Sequence, residues 1–276
     1  MATEDAFSFV AIVVLYRTAP DATPTLRTLA ACARMDGCER VVVVDHSPQR
    51  QDEAFARAAA ALSPTPSVYE SAPDNPPLGR AYNRAIRAHL GAARYVLILD
   101  QDTSLPADIV EAAQRAARTE SFPALMAPHM RAGSRIASPC RIFLGWGRRW
   151  SGPRPGWHSL RANTLINSGA WIHRRVFEEL GVWYSDTLKL YGTDTDFFKR
   201  LGRREPRFLA LPIVIEHDLS FDSASLESKA DKVEAILAAN RAVYANDAWL
   251  VRLGVRCVNA VVRAKYALQY RTTRFL

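Results

Sequence analysis

Three unbroken runs of β-branched and aliphatic residues constrain what this chain can become: Phe9-Val-Ala-Ile-Val-Val-Leu-Tyr16, Val41-Val-Val-Val-Asp45 and Tyr95-Val-Leu-Ile-Leu-Asp100. A continuous apolar run lacks the alternation of a half-solvated strand, so both of its faces are buried. Such strands lie inside a sheet covered by helices on two sides. Helical segments fall between them: one after Pro24 with Thr23 as its cap, then Arg50 to Leu62, Arg80 to Leu90 and Pro106 to Thr119. A short strand is expected at Val68-Tyr69-Glu70. This alternation predicts an α/β fold with a mostly parallel central sheet flanked by helices.

Each run closes on a polar residue, and in an open α/β sheet ligands bind beyond the carboxyl ends of the strands. Tyr16-Arg17, Asp45 and the pair Asp100/Asp102 are therefore expected to line one crevice. Two carboxylates one residue apart repel unless a proton or cation lies between them, and as hard oxygen ligands they suit Mg²⁺ or Mn²⁺. The plainer alternative, in which Asp102 only caps the helix near Pro106, stays open at this level. A further acid pair stands in Tyr191-Gly-Thr-Asp194-Thr-Asp196-Phe, where Thr193 is the expected cap of another helix. Those acids either complement the helix dipole or place a general base at the mouth of the crevice. One acid for a base or ribose, a metal-holding pair and a separate acid fit transfer from a nucleoside diphosphate donor. The chain has neither a Gly-x-x-x-x-Gly-Lys-Ser/Thr loop nor a Gly-x-Gly-x-x-Gly, the best signals for a P-loop ATPase or a dinucleotide enzyme.

The second half is less regular. Ala124 to Pro128 and Arg135 to Leu144 read as strands, while residues 145–161 hold four Gly, two Pro, three Trp and four Arg and read as a loop. Its tryptophans either tuck into the core or stack on acceptor sugars beside phosphate-pairing arginines. A strand through Ala170-Trp171-Ile172 follows a tight turn at Gly169, and Gly181 stops a short helix from Arg174 to Leu180. Arg207 to Glu216 is a last strand before His217, and a lone histidine is more often structural than catalytic. Helices are expected at Leu226 to Tyr244 and Trp249 to Tyr270. In the second, Arg252, Arg256, Asn259 and Arg263 form one polar stripe.

At 49% apolar and 23% charged residues the composition is that of an ordinary soluble domain. Cys32, Cys38, Cys140 and Cys257 are scattered, against a zinc site or a disulfide framework and in keeping with a reducing cytoplasm. No apolar run reaches about 18 residues and no leader pattern opens the sequence, so neither membrane spanning nor export is expected. The net charge of +8 calls for a polyanionic partner: nucleic acid, an anionic membrane or a phosphorylated substrate. Residues from Asn246 onward contribute six Lys/Arg against one Asp, so the basic last helix is a candidate for docking on lipid.

Taken in order, several of these segments form a series: Val-Val-Val-Asp45-His46-Ser, Asn75-x-x-x-Gly79-Arg80-Ala-x-Asn83, Leu-Asp100-Gln-Asp102-Thr, Asn167-Ser-Gly169, Gly192-Thr-Asp194-Thr-Asp196-Phe with Arg200-Leu201, and His217. The series resembles the family 2 inverting glycosyltransferases of GT-A fold, especially their rhamnosyltransferase-like bacterial group, over roughly residues 8–220. The resemblance implies a GT-A domain over 1–222, with a nucleotide-binding half (1–120) and an acceptor half (121–222), and a helical extension over 223–276. It implies that Tyr16, Arg17, Asp45, Arg80, Asn83, Asp100 and Asp102 bind the donor and that Asp194 is the catalytic base. Asp196 and Trp171 would support the site, and Asp102 with His217 would ligate Mg²⁺ or Mn²⁺. The implied reaction moves a sugar, L-rhamnose from dTDP-rhamnose, with inversion to a saccharide or lipid-linked acceptor in surface polysaccharide synthesis. The protein would then be cytoplasmic or peripheral at the inner membrane face, without nucleic acid as a partner. The rival readings are the same fold with a UDP-hexose, a sugar nucleotidyltransferase, and a non-catalytic binding domain for polysaccharide assembly. His46 and Thr193 depart from the family pattern, where an acid or Asn and a Glu are common.

Overall fold

The computed structural model describes residues 6–32, 35–216, 226–271 and 274. Its first half alternates β1 (Phe9–Leu15), α1 (Pro24–Ala30), β2 (Cys38–Asp45), α2 (Asp52–Leu62), β3 (Ser67–Ser71), α3 (Leu78–His89), β4 (Tyr95–Asp100) and α4 (Ile109–Thr119). All pairings among these four strands are parallel, in the order β3-β2-β1-β4. The register sets Leu15 beside Asp45, Val14 beside Asp100 and Asp45 beside Ser71, so the carboxyl ends are level.

Alternate residues of each strand feed opposite layers. Val10, Ile12, Val42, Val96 and Ile98 pack on α3 and on Phe197 and Leu201 of a later helix. Phe9, Ala11, Val13, Val43 and Leu97 pack on α1, α2 and α4. Both layers extend into the second half of the chain, and Leu125, Met126 and Phe208 are buried in them.

The second half makes the sheet mixed. Its strands are β5 (Leu125–Ala132), β6 (Arg135–Phe143), β7 (Trp146–Trp150), β8 (Gly156–Ser159), β9 (Asn163–Thr164), β10 (Ala170–His173) and β11 (Arg207–Glu216). β10 lies antiparallel between β4 and β5, β11 is parallel to β5, and β8 is antiparallel to β11. The expected loop at 145–161 is thus corrected: it contains β7, paired with β6, and β8 on the sheet edge. Both are edge strands with exposed positions, where Gly and Arg cost little. Trp150 does go inside, against His129 and His158, whereas Trp146 stays 41% exposed.

Four helices complete the chain: α5 (Arg175–Glu178), α6 (Thr193–Arg204), α7 (Leu226–Val243) and α8 (Trp249–Tyr270). The C-terminal pair rests on α6 and the β6–β7 turn. Lys199 Nζ donates to Val243 O at 2.8 Å and pairs with Asp247, while Gly145 N donates to Tyr244 Oη at 3.2 Å. No helix among the described residues is long and apolar enough to cross a membrane.

Candidate active site

The site grows from the turn after β4. Thr25 at the start of α1 donates its hydroxyl to Asp100 O and accepts Thr103 N at 2.9 Å, which fixes the Asp100-Gln-Asp102 turn from below. Gln101 Oε1 accepts Tyr16 N at 2.8 Å, joining the ends of β1 and β4. Because β10 runs antiparallel to β4, the residues entering it lie beside the end of β4. Gly169 N donates to Ile98 O at 2.7 Å, and Ser168 Oγ accepts Asp100 N at 2.9 Å and lies 2.6 Å from Thr103 Oγ1. Gly169 adopts φ +82°, and a side chain there would strike Pro128 Cγ at 2.7 Å. The Asn-Ser-Gly segment is therefore the scaffold of the acid turn.

A second scaffold brings in two tyrosines that the sequence did not single out. A Cβ at Gly79 would meet Ser185 O at 2.1 Å, so glycine lets the 184–186 segment settle on α3. One turn on, Asn83 Nδ2 donates to Tyr184 O and Asp186 Oδ1, both at 2.9 Å, and its Oδ1 accepts Tyr184 N at 3.0 Å. Tyr184 is thereby held 4.9 Å, ring to ring, from Tyr82 of α3, and its hydroxyl donates to Asn167 Oδ1 at 3.0 Å. Both tyrosine pKa values are driven up, by burial first and then by Asp100 and Asp194, so the two rings lie within the field of both acids.

Asp194 completes the cluster at the start of α6. The helix is entered through Gly192 at φ +79°, packed against Ala239 of α7. Thr193 is not the cap expected: it is already helical, and its hydroxyl donates back to Leu190 O at 2.9 Å. Asp194 Oδ1 accepts Thr195 N at 2.7 Å. Burial raises the Asp194 pKa despite that bond. Asp100 is pushed up to about 7, by burial, then by Asp102 and Asp194, with only Tyr82 pulling it down. Asp100 thus lies in the field of Asp102 and Asp194, with no cation set against it among the described residues. Hard oxygen donors of this kind suit Mg²⁺ or Mn²⁺, and Asp100 and Asp102 are the residues that could hold one. No group of three or more potential ligands occurs among the described residues. His217, the other expected ligand, lies outside them.

Other expected residues land elsewhere. Asp45 is 1% exposed and already accepts Ser47 N (2.8 Å), Tyr69 Oη (2.7 Å) and Gln51 Nε2 (2.9 Å), so it braces the crevice floor. Tyr16 is exposed with the Arg17 guanidinium 5.1 Å from its ring, and Arg17 N donates to Ser47 Oγ at 2.8 Å. Asn83, expected on the donor, is instead the clamp on Tyr184. Arg80 is exposed, its side chain makes no hydrogen bond among the described residues, and it does not join the cluster. Asp196 is tied within its own helix to Arg200 at 2.7 and 2.8 Å. Trp171 is corrected outright: β10 turns its side chain to the opposite layer, where it is fully buried against Phe7 and Phe9.

Two cavities lie near this cluster, neither of them lined by Asp100, Asp102 or Asp194. One of about 670 Å³ runs from Val14, Tyr16, His46 and Asn75 to Leu188–Tyr191 and is roofed by alanines of α7. His46, 4% exposed, sets Nδ1 3.1 Å from Asn75 Oδ1, an atom that only accepts, so the proton sits on Nδ1. Its Nε2 is buried with no partner among the described residues, and burial lowers its pKa, which leaves that nitrogen an acceptor at neutral pH. The other cavity, about 400 Å³, lies against α6 beside Thr195, Lys199, Asn163 and Thr164. Asn163 Oδ1 and Thr164 Oγ1 have no partner there.

No protein-family model matches the chain. No curated protein matches it by sequence either. By structure it is similar to TarS residues 1–349 from S. aureus at 16% identity and TM-score 0.58, over 87% of this chain and 66% of that one. The same fragment in complex with UDP-GlcNAc gives 15% and 0.56. The mannosyltransferase PcManGT from Pyrobaculum calidifontis, in complex with GDP-Man and Mn²⁺, gives 15% and 0.61 over 98% and 86%. The chain spans 41% of the longer TarS structure. The fold is therefore the mixed α/β arrangement of glycosyltransferase structures, with helices after it.

Proposed function

We propose that the chain is a metal-dependent inverting glycosyltransferase, and that one observation carries this reading. The Asp100/Asp102 pair and Asp194 converge across the Tyr82–Tyr184 pair at the level carboxyl edge of the parallel strands. In this reading the nucleoside occupies the larger cavity, stacked near Tyr16 and beside His46. The acceptor enters from the smaller cavity along Thr195. Asp194 takes the proton of the acceptor hydroxyl on its carboxylate as that oxygen forms its bond to the anomeric carbon. The bond from that carbon to the diphosphate breaks on the opposite face, so configuration inverts and the nucleoside diphosphate leaves with the electron pair. A divalent cation held by Asp102 and Asp100 would offset charge on the leaving diphosphate. The tyrosines and the Ser168–Thr25 scaffold hold the acids apart at fixed positions.

The donor we infer is dTDP-L-rhamnose, on the Leu99-Asp-Gln-Asp-Thr103 form of the acid turn. The acceptor class is a saccharide or lipid-linked saccharide of surface polysaccharide synthesis, with residues 1–222 as the catalytic unit and 223–276 as its extension. UDP-hexoses are the second donor class, since TarS, one of the structural neighbours, was solved with UDP-GlcNAc. Thermal stabilisation by dTDP, UDP and GDP, each with Mn²⁺, Mg²⁺ or chelator, tests the reading. A nucleotide at 100 times its Kd adds about 2.7 kcal/mol. Metal-dependent stabilisation by dTDP is expected. Preference for UDP replaces the sugar, and no response to any nucleotide removes the proposal.

A further inference from the structure

The last helix has apolar residues on two sides. Val255, Val258, Val262 and Tyr266 face α7 and the β6–β7 turn. Leu250, Leu253, Cys257, Val261, Ala264 and Leu268 recur at spacings of three and four, and every one of them is exposed. Val261 and Leu268 are 68% and 80% exposed. A helix that merely covers a core shows one apolar stripe, with its polar side outward. Here part of the polar side is turned inward: Asn259 is 4% exposed, its Nδ2 donating to Leu237 O at 3.0 Å, and Arg263 pairs with Glu234 at 2.5 Å.

Both flanks of the outer stripe are furnished. On one, a cavity of about 500 Å³ is lined by Arg241 of α7 and by Arg256, Asn259 and Arg263 of α8. Asn259 Oδ1 and Arg263 Nε are buried without partners, and Arg241 and Arg256 have no ion pair among the described residues. On the other, the β6–β7 turn presses on α8, since a Cβ at Gly254 would come within 2.7 Å of Leu144. Next to it Phe143 is 73% exposed, and the Trp146 ring lies 5.4 Å from Lys265 Nζ.

We propose that this surface binds an anionic bilayer, with α8 lying in the interfacial plane. The Leu250–Leu268 stripe, with Phe143 and Trp146, enters the boundary between headgroups and acyl chains, and the arginine-lined cavity takes a lipid phosphate. Arginines beside an apolar stripe, with a tryptophan at its rim, match the headgroup and acyl layers of an anionic membrane. A second copy of the chain would instead bring like-charged arginines toward one another.

Cosedimentation of the full chain with vesicles of phosphatidylcholine alone, or mixed with phosphatidylglycerol, tests this. Binding to the anionic vesicles, weakened by salt, is expected. Leu253→Asp with Val261→Asp should abolish it while leaving thermal stability and nucleotide-induced stabilisation unchanged. Arg241→Ala and Arg256→Ala should each weaken it about fivefold. Failure to bind, equal binding to neutral vesicles, or indifference to the Asp substitutions overturns the proposal. So does a concentration-dependent dimer that Leu253→Asp dissolves, because the occupant is then a second copy. The readout is sedimentation, so it stands or falls apart from the transferase reading.

Discussion

The carboxyl edge of the parallel strands and the outer side of α8 invert the usual partition of polar and apolar groups in opposite senses. At the strand edge, the half-buried Asp100 and Asp194 are set beside two buried tyrosines, and desolvation raises both carboxyl pKa values. On α8, apolar side chains face water while an asparagine is buried. Elsewhere the molecule is conventional: Val10, Ile12, Leu97 and Ile98 are fully buried. Departures from local consistency concentrate where function overrides stability. Positive charge is proposed at one of these places and an anionic bilayer at the other.

The sharpest way to break the comparison is at Asp194. Asp194→Asn keeps the shape and removes the proposed base, so the transfer rate should fall by about 10²–10⁴-fold with donor binding retained, measured by single-turnover kinetics. An ordinary core position should respond in stability instead. Leu99→Ala, fully buried in the α1/α4 layer, should cost about 2–5 kcal/mol in urea denaturation. Asp102→Ala should remove most of the metal-dependent nucleotide stabilisation, up to about 2.7 kcal/mol at saturating ligand, in a thermal shift assay with and without chelator. Leu250→Ala, by contrast, should change stability by no more than about 0.5 kcal/mol, because that side chain is 62% exposed.

The pH dependence sharpens the same contrast. Burial raises the folded-state pKa of Asp194, so the ionised base is lost as pH falls through a value above the ordinary carboxylate range. The acid limb of the transfer profile should lie above that range. The sign for stability is the opposite: the ionised, buried carboxylate burdens the folded state as pH rises from the unfolded to the folded pKa. Asp194→Asn should therefore raise the melting temperature at pH 8 more than at pH 4, which calorimetry at the two pH values reads directly.

Much of the strand edge was legible in the sequence, because uninterrupted Val/Ile/Leu runs specify buried strands and each ends on the residue that meets the crevice. The tyrosines were not. Tyr82 sits among alanines on α3 and reads as core, and Tyr184 reaches it only through the Asn83 clamp, a tertiary contact without a local signature. Trp171 failed for a related reason: strand periodicity fixes alternation but not which layer a given residue faces. The segment 145–161 was misread because Gly and Pro are equally at home in loops and edge strands. On α8, spacing located the stripe of Arg252, Arg256, Asn259 and Arg263, but spacing alone cannot say which side of a helix is covered.

The role of Asp194 as the base of sugar transfer is read by incubating the wild-type chain and Asp194→Asn with dTDP-rhamnose, UDP-GlcNAc or GDP-mannose, Mn²⁺ and a panel of saccharide acceptors, following nucleoside diphosphate release and donor binding together. Both proteins should bind one donor, dTDP-rhamnose, and only the wild type should release the diphosphate. Equal release by the two proteins, or binding of no donor by either, would contradict it.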